Sequence, residues 1–234
     1  MKSYGQYCPI AQALELLGDR WTLLIIRDML TGTRHFNDLA RGLPNISRAL
    51  LAKRLRQLET SEIIIKHYPD EGRKTTEYHL TQSGQQLQEI INSLLIWGAN
   101  WAFGEPTLDQ LDPVLLMWWM QDRVNMAYIP QERLVIQFDF FGDKNETLWL
   151  LITKPDVTIC LTDPGYEINV LVKADLRTYF KLWLGKLDYP DVIDTPHLSI
   201  EAIPQHIRDF PNWFAWSLAA PAVRSAEVAK RKIL

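Results

Sequence analysis

The spacing of apolar residues changes midway along the chain. Through about residue 103 it follows a helical repeat. Ile10–Leu17 and Trp21–Leu30 carry apolar residues at intervals of three and four, punctuated by Gly18-Asp19 and Thr31-Gly32. A short segment, His35–Arg41, stops at Gly42-Leu43-Pro44. Ser47–Ser61 follows, with Ser47 placed to cap its first turn and Ile46 and Leu51 spaced as a hydrophobic staple. Ile63–Tyr68 and Thr75–Leu80 are strand-like and flank the polar run Pro69-Asp70-Glu71-Gly72-Arg73-Lys74. Gln82–Phe103 reads as one long helix with an apolar stripe. Four helices, a hairpin and a last helix make a helix-turn-helix backed by a β-ribbon, the winged-helix layout used on DNA.

Beyond residue 105 the period shortens to two. Leu134, Ile136, Phe138 and Phe140 fall on one face of a strand, with Gln137 and Asp139 on the other. Leu148–Thr153, Val157–Thr162 and Ile168–Lys173 are further strands. Turn-forming runs at residues 142–145, 154–156 and 163–165 separate them, which predicts an antiparallel meander. Helices are expected at Asp112–Met126 and at Asp175–Leu184, the latter capped by Asp175. A last strand near Leu198–Ile203 and short helices after Pro204 and Pro211 close the region. The predicted class is α+β: a winged helix over residues 1–105, then a domain over 106–234 with an antiparallel sheet of about five strands. The boundary is expected near Gly104-Glu105-Pro106.

Composition narrows the classes. The chain has 234 residues, 47% apolar and 23% charged, which excludes a disordered protein. Its longest apolar runs, such as Leu115–Met120, fall far short of a membrane span, and the polar start lacks the apolar core of a signal peptide. A cytoplasmic protein without membrane contact is therefore expected. Two cysteines build neither a disulfide framework nor a zinc site, and no metal or cofactor is expected.

The net charge of −3 conceals an asymmetry. Residues 34–74 hold nine basic side chains against five acidic ones, a local anion-binding surface in an acidic protein. With Leu51 at the origin of a helical wheel, Leu55 and Leu58 fall within about 40° of it. Ala49, Lys53, Arg56 and Thr60 lie opposite, with Ala52 and Gln57 at the edges. Small residues permit close approach to a major groove, while Arg and Lys donate to guanine edges or phosphates. Ser47 and Arg48 sit at the tip, where the helix dipole favours a phosphate. Such a face alone reads as a solvated surface. The basic hairpin tip at wing distance turns it into a DNA-contact set: Ser47, Arg48, Ala49, Lys53, Arg56, Gln57, Arg73 and Lys74.

The stretch CPIAQALELLGDRWTLLIIRDMLTGTRHFNDLARGLPNISRALLAKRLRQLETSEII resembles the HxlR-type branch of the winged-helix transcription regulators, related to the MarR group, over about residues 8–103. The resemblance implies a homodimer on a pseudo-palindromic operator, held together by the N-terminal segment (here residues 4–14) and the last helix (84–103). It also places Cys8 where some members of the family sense thiol oxidants. No basic residue lies within five positions of Cys8, so a packed thiol at the dimer contact is the competing reading.

Typical members of that family stop near the end of the last helix, and this chain continues for about 130 residues. The order of elements over 110–217 resembles the sterol-carrier-protein-like fold, which implies an apolar pocket between sheet and helices. Trp118, Trp119, Phe138, Trp149, Trp183 and Trp213 are the candidate ligand-contact residues, although aromatic residues equally fill cores. The expected function is a dimeric, sequence-specific DNA-binding regulator controlled by a small apolar ligand. The alternatives for the second domain are a protein-interaction module or a catalytic domain. No GxSxG, HExxH, CxxC or glycine-rich phosphate loop occurs, and no catalytic residue is assigned. Asp188, Asp191, Asp194, His197 and His206 read as a surface loop rather than a metal cluster.

Overall fold

The computed structural model describes residues 3–68 and 75–231 and divides the chain into two compact units, Met1–Leu94 and Leu95–Leu234. The first unit contains α1 (Pro9–Leu17), α2 (Thr22–Leu30), α3 (Phe36–Gly42), α4 (Arg48–Thr60), β1 (Ile64–His67), β2 (Glu77–Leu80) and α5 (Gln82–Gln86). Helix α6 (Gln88–Trp101) begins in it and runs into the second unit. Pro9 opens α1, where its missing N–H costs nothing. Ser47 caps α4, its Oγ accepting from the Leu50 amide at 3.2 Å. Leu51, Leu55 and Leu58 pack with Ile25, Ile26 and Met29 of α2, Leu39 of α3, and Ile64 and Leu80 of the ribbon in one core.

The ribbon pairs antiparallel in the register Ile64↔Leu80 to His67↔Glu77. It has a third member absent from the expected layout. The Tyr78 amide donates to the Arg34 carbonyl at 2.8 Å, and His35 bridges Glu77, so the chain between α2 and α3 is tied to the wing. The single helix expected over 82–103 is two helices parted at Leu87. Thr81 caps the first, its hydroxyl accepting from the Gly84 amide and donating to the Glu62 carbonyl. A Cβ on Gly84 would lie 2.3 Å from the Ile63 carbonyl oxygen. This close approach anchors α5 against the ribbon, and α6 starts afresh beyond it.

The second unit contains α7 (Pro113–Gln121), β3 (Arg133–Phe141), β4 (Glu146–Thr153), β5 (Asp156–Cys160), β6 (Val170–Asp175), α8 (Leu176–Trp183), α9 (Tyr189–Val192), β7 (Leu198–Ala202), α10 (Pro204–Asp209), a 3-10 turn at Phe210–Trp213, and α11 (Ala220–Arg231). The strand order is β5-β4-β3-β6-β7. Five strands form, but the expectation of an antiparallel sheet fails: β3 and β6 run parallel, in register Ile136↔Val170 to Phe141↔Asp175. The physical reason is segment 161–169. It could extend to roughly 30 Å, ample to cross the three strand spacings, about 14 Å, from β5 to the far side of β3. Asn169 then seeds the parallel register: its Oδ1 accepts from the Val135 amide at 2.8 Å, and its own amide donates to the Val135 carbonyl.

One face of the sheet, with Leu134, Ile136, Phe138, Leu148, Leu150 and Val172 among others, packs with residues of α7, α8 and the Phe210–Trp213 turn in a single core. Both flanking helices are capped by aspartate. Asp112 accepts from the Val114 and Leu115 amides, and Asp175 from the Thr178 amide and hydroxyl. The helix expected over 112–126 ends at Gln121, and α11 was not foreseen.

Candidate nucleic-acid interface and the second unit's core

Helix α4 has two faces. Its three leucines are buried, while Ser47, Arg48, Ala49, Lys53 and Arg56 are exposed and Gln57 is half-buried. Several of these side chains are already held. Arg48 donates to Asn37 Oδ1 at 2.9 Å and lies over the Phe36 ring, so α3 supports the tip of α4. Arg56 Nε donates to the Ala52 carbonyl at 3.3 Å. Gln57 Oε1 accepts from Arg54 Nη1 at 2.7 Å. Arg54 itself pairs with Asp19 and donates to the Arg20 carbonyl, fastening the α1–α2 corner to α4. The supporting roles of Asn37 and Arg54 were missed from the sequence. Arg54 was in principle legible, because it flanks the leucine face rather than standing opposite it. Arg73 and Lys74 lie outside the described residues.

Helix α6 presents Ile90, Leu94, Trp97 and Trp101 at intervals of four, three and four, all exposed, with Trp101 at 78%. On α1, Ile10 and Leu14 are exposed as well. Cys8 stands at the N-cap position of α1 with no side-chain cap bond, and the amides of Ala11 and Ile10 at that terminus favour its thiolate, lowering its pKa below the ordinary thiol range. Those amides supply what the missing basic neighbours do not.

The six aromatic residues assigned to a ligand do not form one lining. Phe138, Trp183 and Trp213 are fully buried in one core, with Trp119 packed against it. Trp118 is half-buried. Trp149 faces the other side of the sheet, because it pairs with Gln137 while Phe138 pairs with Leu148. Its indole donates to Gln137 Oε1 at 3.1 Å. His206, assigned to a surface loop, is buried against Trp213, their rings 5.4 Å apart. Asp188 pairs with Arg224. Among the described residues no group of His, Cys, Asp or Glu is placed to hold a metal, and no helix is long and apolar enough to cross a membrane.

This geometry, a capped helix with a basic outer face backed by a three-membered wing, defines a winged helix-turn-helix, the class of DNA-binding transcription regulators. Residues 16–105 match the family model described as HxlR-like helix-turn-helix. An uncharacterized HTH-type transcriptional regulator of Synechocystis sp., sll1512, is 35% identical over 97 residues, covering 42% of this chain and 72% of its own. The regulator YodB of Bacillus subtilis is 35% identical over 100 residues, covering 42% of this chain and 88% of its own. The reduced form of YodB, as a solved structure, is 33% identical, covers 42% of this chain and 96% of that chain, and superposes with a TM-score of 0.37. The chain belongs to the HxlR-like helix-turn-helix family of DNA-binding transcription regulators.

Proposed function

We propose that this regulator binds its operator as a homodimer, with the outer face of α4 in the major groove and Arg73 and Lys74 against phosphate or the minor groove. We propose further that a small, largely apolar ligand in the second unit controls that binding. The observation that carries the DNA contact is the division of α4: buried leucines on one side, and on the other an exposed set of Ser47, Arg48, Ala49, Lys53 and Arg56. The exposed stripe Ile90, Leu94, Trp97, Trp101 supports the dimer, because contiguous apolar surface of this kind marks an interface. Length that DNA binding does not need supports the sensor, as does the sterol-carrier-like order of sheet and helices. A ligand would act only through its differential affinity for the DNA-bound and free shapes.

The test is operator binding, with the operator selected from fragments of the host genome. Arg56→Ala, if it removes a base contact, costs on the order of 1–3 kcal/mol. Lys53→Ala, if it removes a phosphate contact, weakens all sequences alike and flattens the salt dependence. An affinity unchanged in the double variant would sink the assignment.

A further inference from the structure

Buried polar atoms are almost always hydrogen-bonded, so a group of them without partners calls for an explanation. In the second unit, four such atoms fall within 35 residues of chain: Tyr179 Oη on α8, Tyr189 Oη on α9, His206 Nδ1 on α10 and Trp213 Nε1 on the turn that follows. Ring contacts link three of them. His206 and Trp213 are 5.4 Å apart, Trp213 and Phe210 are 5.7 Å apart, and Phe210 stacks on Tyr189 at 6.4 Å. Tyr179 belongs to the same core and meets Phe138 and Phe140 edge to face. Burial first, and Tyr189 second, hold its phenol well above the ordinary range. Burial, with Asp194 adding, pushes Tyr189 up to about 12. The other two unpartnered atoms among the described residues, Thr22 Oγ1 and Asp28 Oδ2, lie six positions apart on α2, roughly 9 Å along its axis, and form no cluster.

The chemistry of the four is specific. Indole N–H can only donate, each phenol carries one O–H donor, and the imidazole nitrogen donates or accepts according to tautomer. A molecule that satisfied them would need acceptor oxygens. It would also need to be uncharged. Among the described residues no lysine or arginine is buried, and the one group there that could turn cationic, His206, would itself be a costly charge to bury, so a carboxylate sealed in at this place is disfavoured. Phe138 and Phe140 stand against the Tyr179 ring, and Phe210 against those of Tyr189 and Trp213, surroundings that suit a ring.

We propose that Tyr179, Tyr189, His206 and Trp213 form the polar end of a ligand site in the second unit, and that the site takes an uncharged aromatic molecule bearing a carbonyl or an equivalent acceptor. This inference rests on the reading of the second unit as a sensor and gives its ligand a chemical class. It also changes what the sensor discriminates: hydrogen-bond acceptors on a ring, rather than apolar bulk alone.

The experiment uses the full-length protein, Tyr179→Phe and Tyr189→Phe, with three probes of one shape: acetophenone, ethylbenzene and benzoate. Calorimetric titration is expected to show acetophenone binding the wild type more tightly than either of the others. Each Tyr→Phe variant should weaken acetophenone by roughly fivefold, the worth of one neutral hydrogen bond, and leave ethylbenzene unchanged. Without probe, Tyr179→Phe should melt no lower than the wild type, because deleting an unpartnered buried hydroxyl in an isosteric change leaves no partner unsatisfied. A Tyr179→Phe protein melting several degrees lower would overturn the inference, since the hydroxyl would then be a structural bond, to protein or to trapped water. Binding of none of the probes would overturn it too, as would benzoate matching acetophenone. Ethylbenzene binding as tightly as acetophenone, indifferent to both variants, overturns the polar site while leaving an apolar sensor standing. Acetophenone binding as described, with no change in operator affinity, supports the site and overturns the sensor.

Discussion

Helices α4 and α8 begin alike and come to lie in opposite surroundings. Each is capped by the side chain just before it, Ser47 on the Leu50 amide and Asp175 on the Thr178 amide. Helix α4 then buries only its leucine face and leaves a basic face exposed. Helix α8 has no exposed residue; Leu176, Tyr179, Phe180, Leu182 and Trp183 are all buried. A helix that must lie against a large, flat, charged partner keeps half of its circumference free. A helix packed into a core is surrounded, and whatever polar atoms it carries there lie inside. The same capping physics thus starts a helix that presents residues outward and one that presents them inward.

The largest expected effects break the packing on which this contrast rests. Leu55→Ala removes a fully buried side chain from α4 and should cost about 2–5 kcal/mol, and Trp183→Ala about 3–5 kcal/mol. Arg56→Ala, on the open face of α4, should change stability by no more than about 0.5 kcal/mol. Urea titrations followed by circular dichroism measure all three. An Arg56→Ala protein as unstable as Leu55→Ala would make the outer face of α4 structural and dissolve the comparison.

Assembly comes next in size. Leu94→Glu places a charge in the middle of the exposed stripe on α6. If that stripe is the subunit contact, the variant sediments as a monomer and loses operator binding, because two half-sites are read only by a dimer. A wild type that sediments as a monomer at micromolar concentration would remove the assignment.

The two units differed in how much of them the sequence disclosed. In the first, the helical period, Ser47 and the turn residues locate every helix through α4, and the leucine face predicts its opposite. What stayed hidden there depended on distance along the chain. The wing's third member pairs Arg34 and His35 with residues 77–78, and the break at Leu87 follows from Gly84 meeting Ile63 across the ribbon. In the second unit, strand alternation locates β3 and β4, but periodicity says nothing about which strands become neighbours. The parallel pairing of β3 with β6 opens where Asn169 meets Val135, a contact with no local signature. The same limit applies to the residues proposed to meet a ligand. Tryptophans draw attention by size, whereas Tyr179, Tyr189 and His206 are distinguished only by what their polar atoms lack after folding.

Charge pairing gives a smaller and pH-dependent effect. Glu105 bridges Lys181 at 2.5 Å and Lys186 at 2.9 Å, and these two ammonium groups hold its carboxyl down to about 2 from an ordinary 4.5. Because the folded value is depressed, this stabilisation is fully present above about pH 4.5 and is lost as pH falls toward 2. The carboxylate is well exposed, so solvent screening limits the contribution to roughly 0.2–1 kcal/mol. Glu105→Gln should therefore lower the melting temperature slightly at neutral pH and leave it unchanged near pH 2. An equal deficit at both would mean that the side chain acts through packing rather than charge.

The smallest effect compares the two cysteines, one in each unit. The Cys8 thiolate is favoured by the Ala11 and Ile10 amides at the start of α1, whereas burial raises Cys160 above the ordinary range. Alkylation by iodoacetamide proceeds through the thiolate, so Cys8 should be modified first, and its advantage should be greatest below the ordinary thiol range. The gain is partly offset, because a less basic thiolate is also a weaker nucleophile. The expected difference is therefore a few-fold in rate rather than orders of magnitude. Mass spectrometry of partly alkylated protein measures it directly, and Cys8→Ser should leave only the slow phase. Equal rates at the two sites, or a faster Cys160, would show that access to the sulfur outweighs the helix-terminus amides. Cys8 would then be a packed thiol with no tuned reactivity.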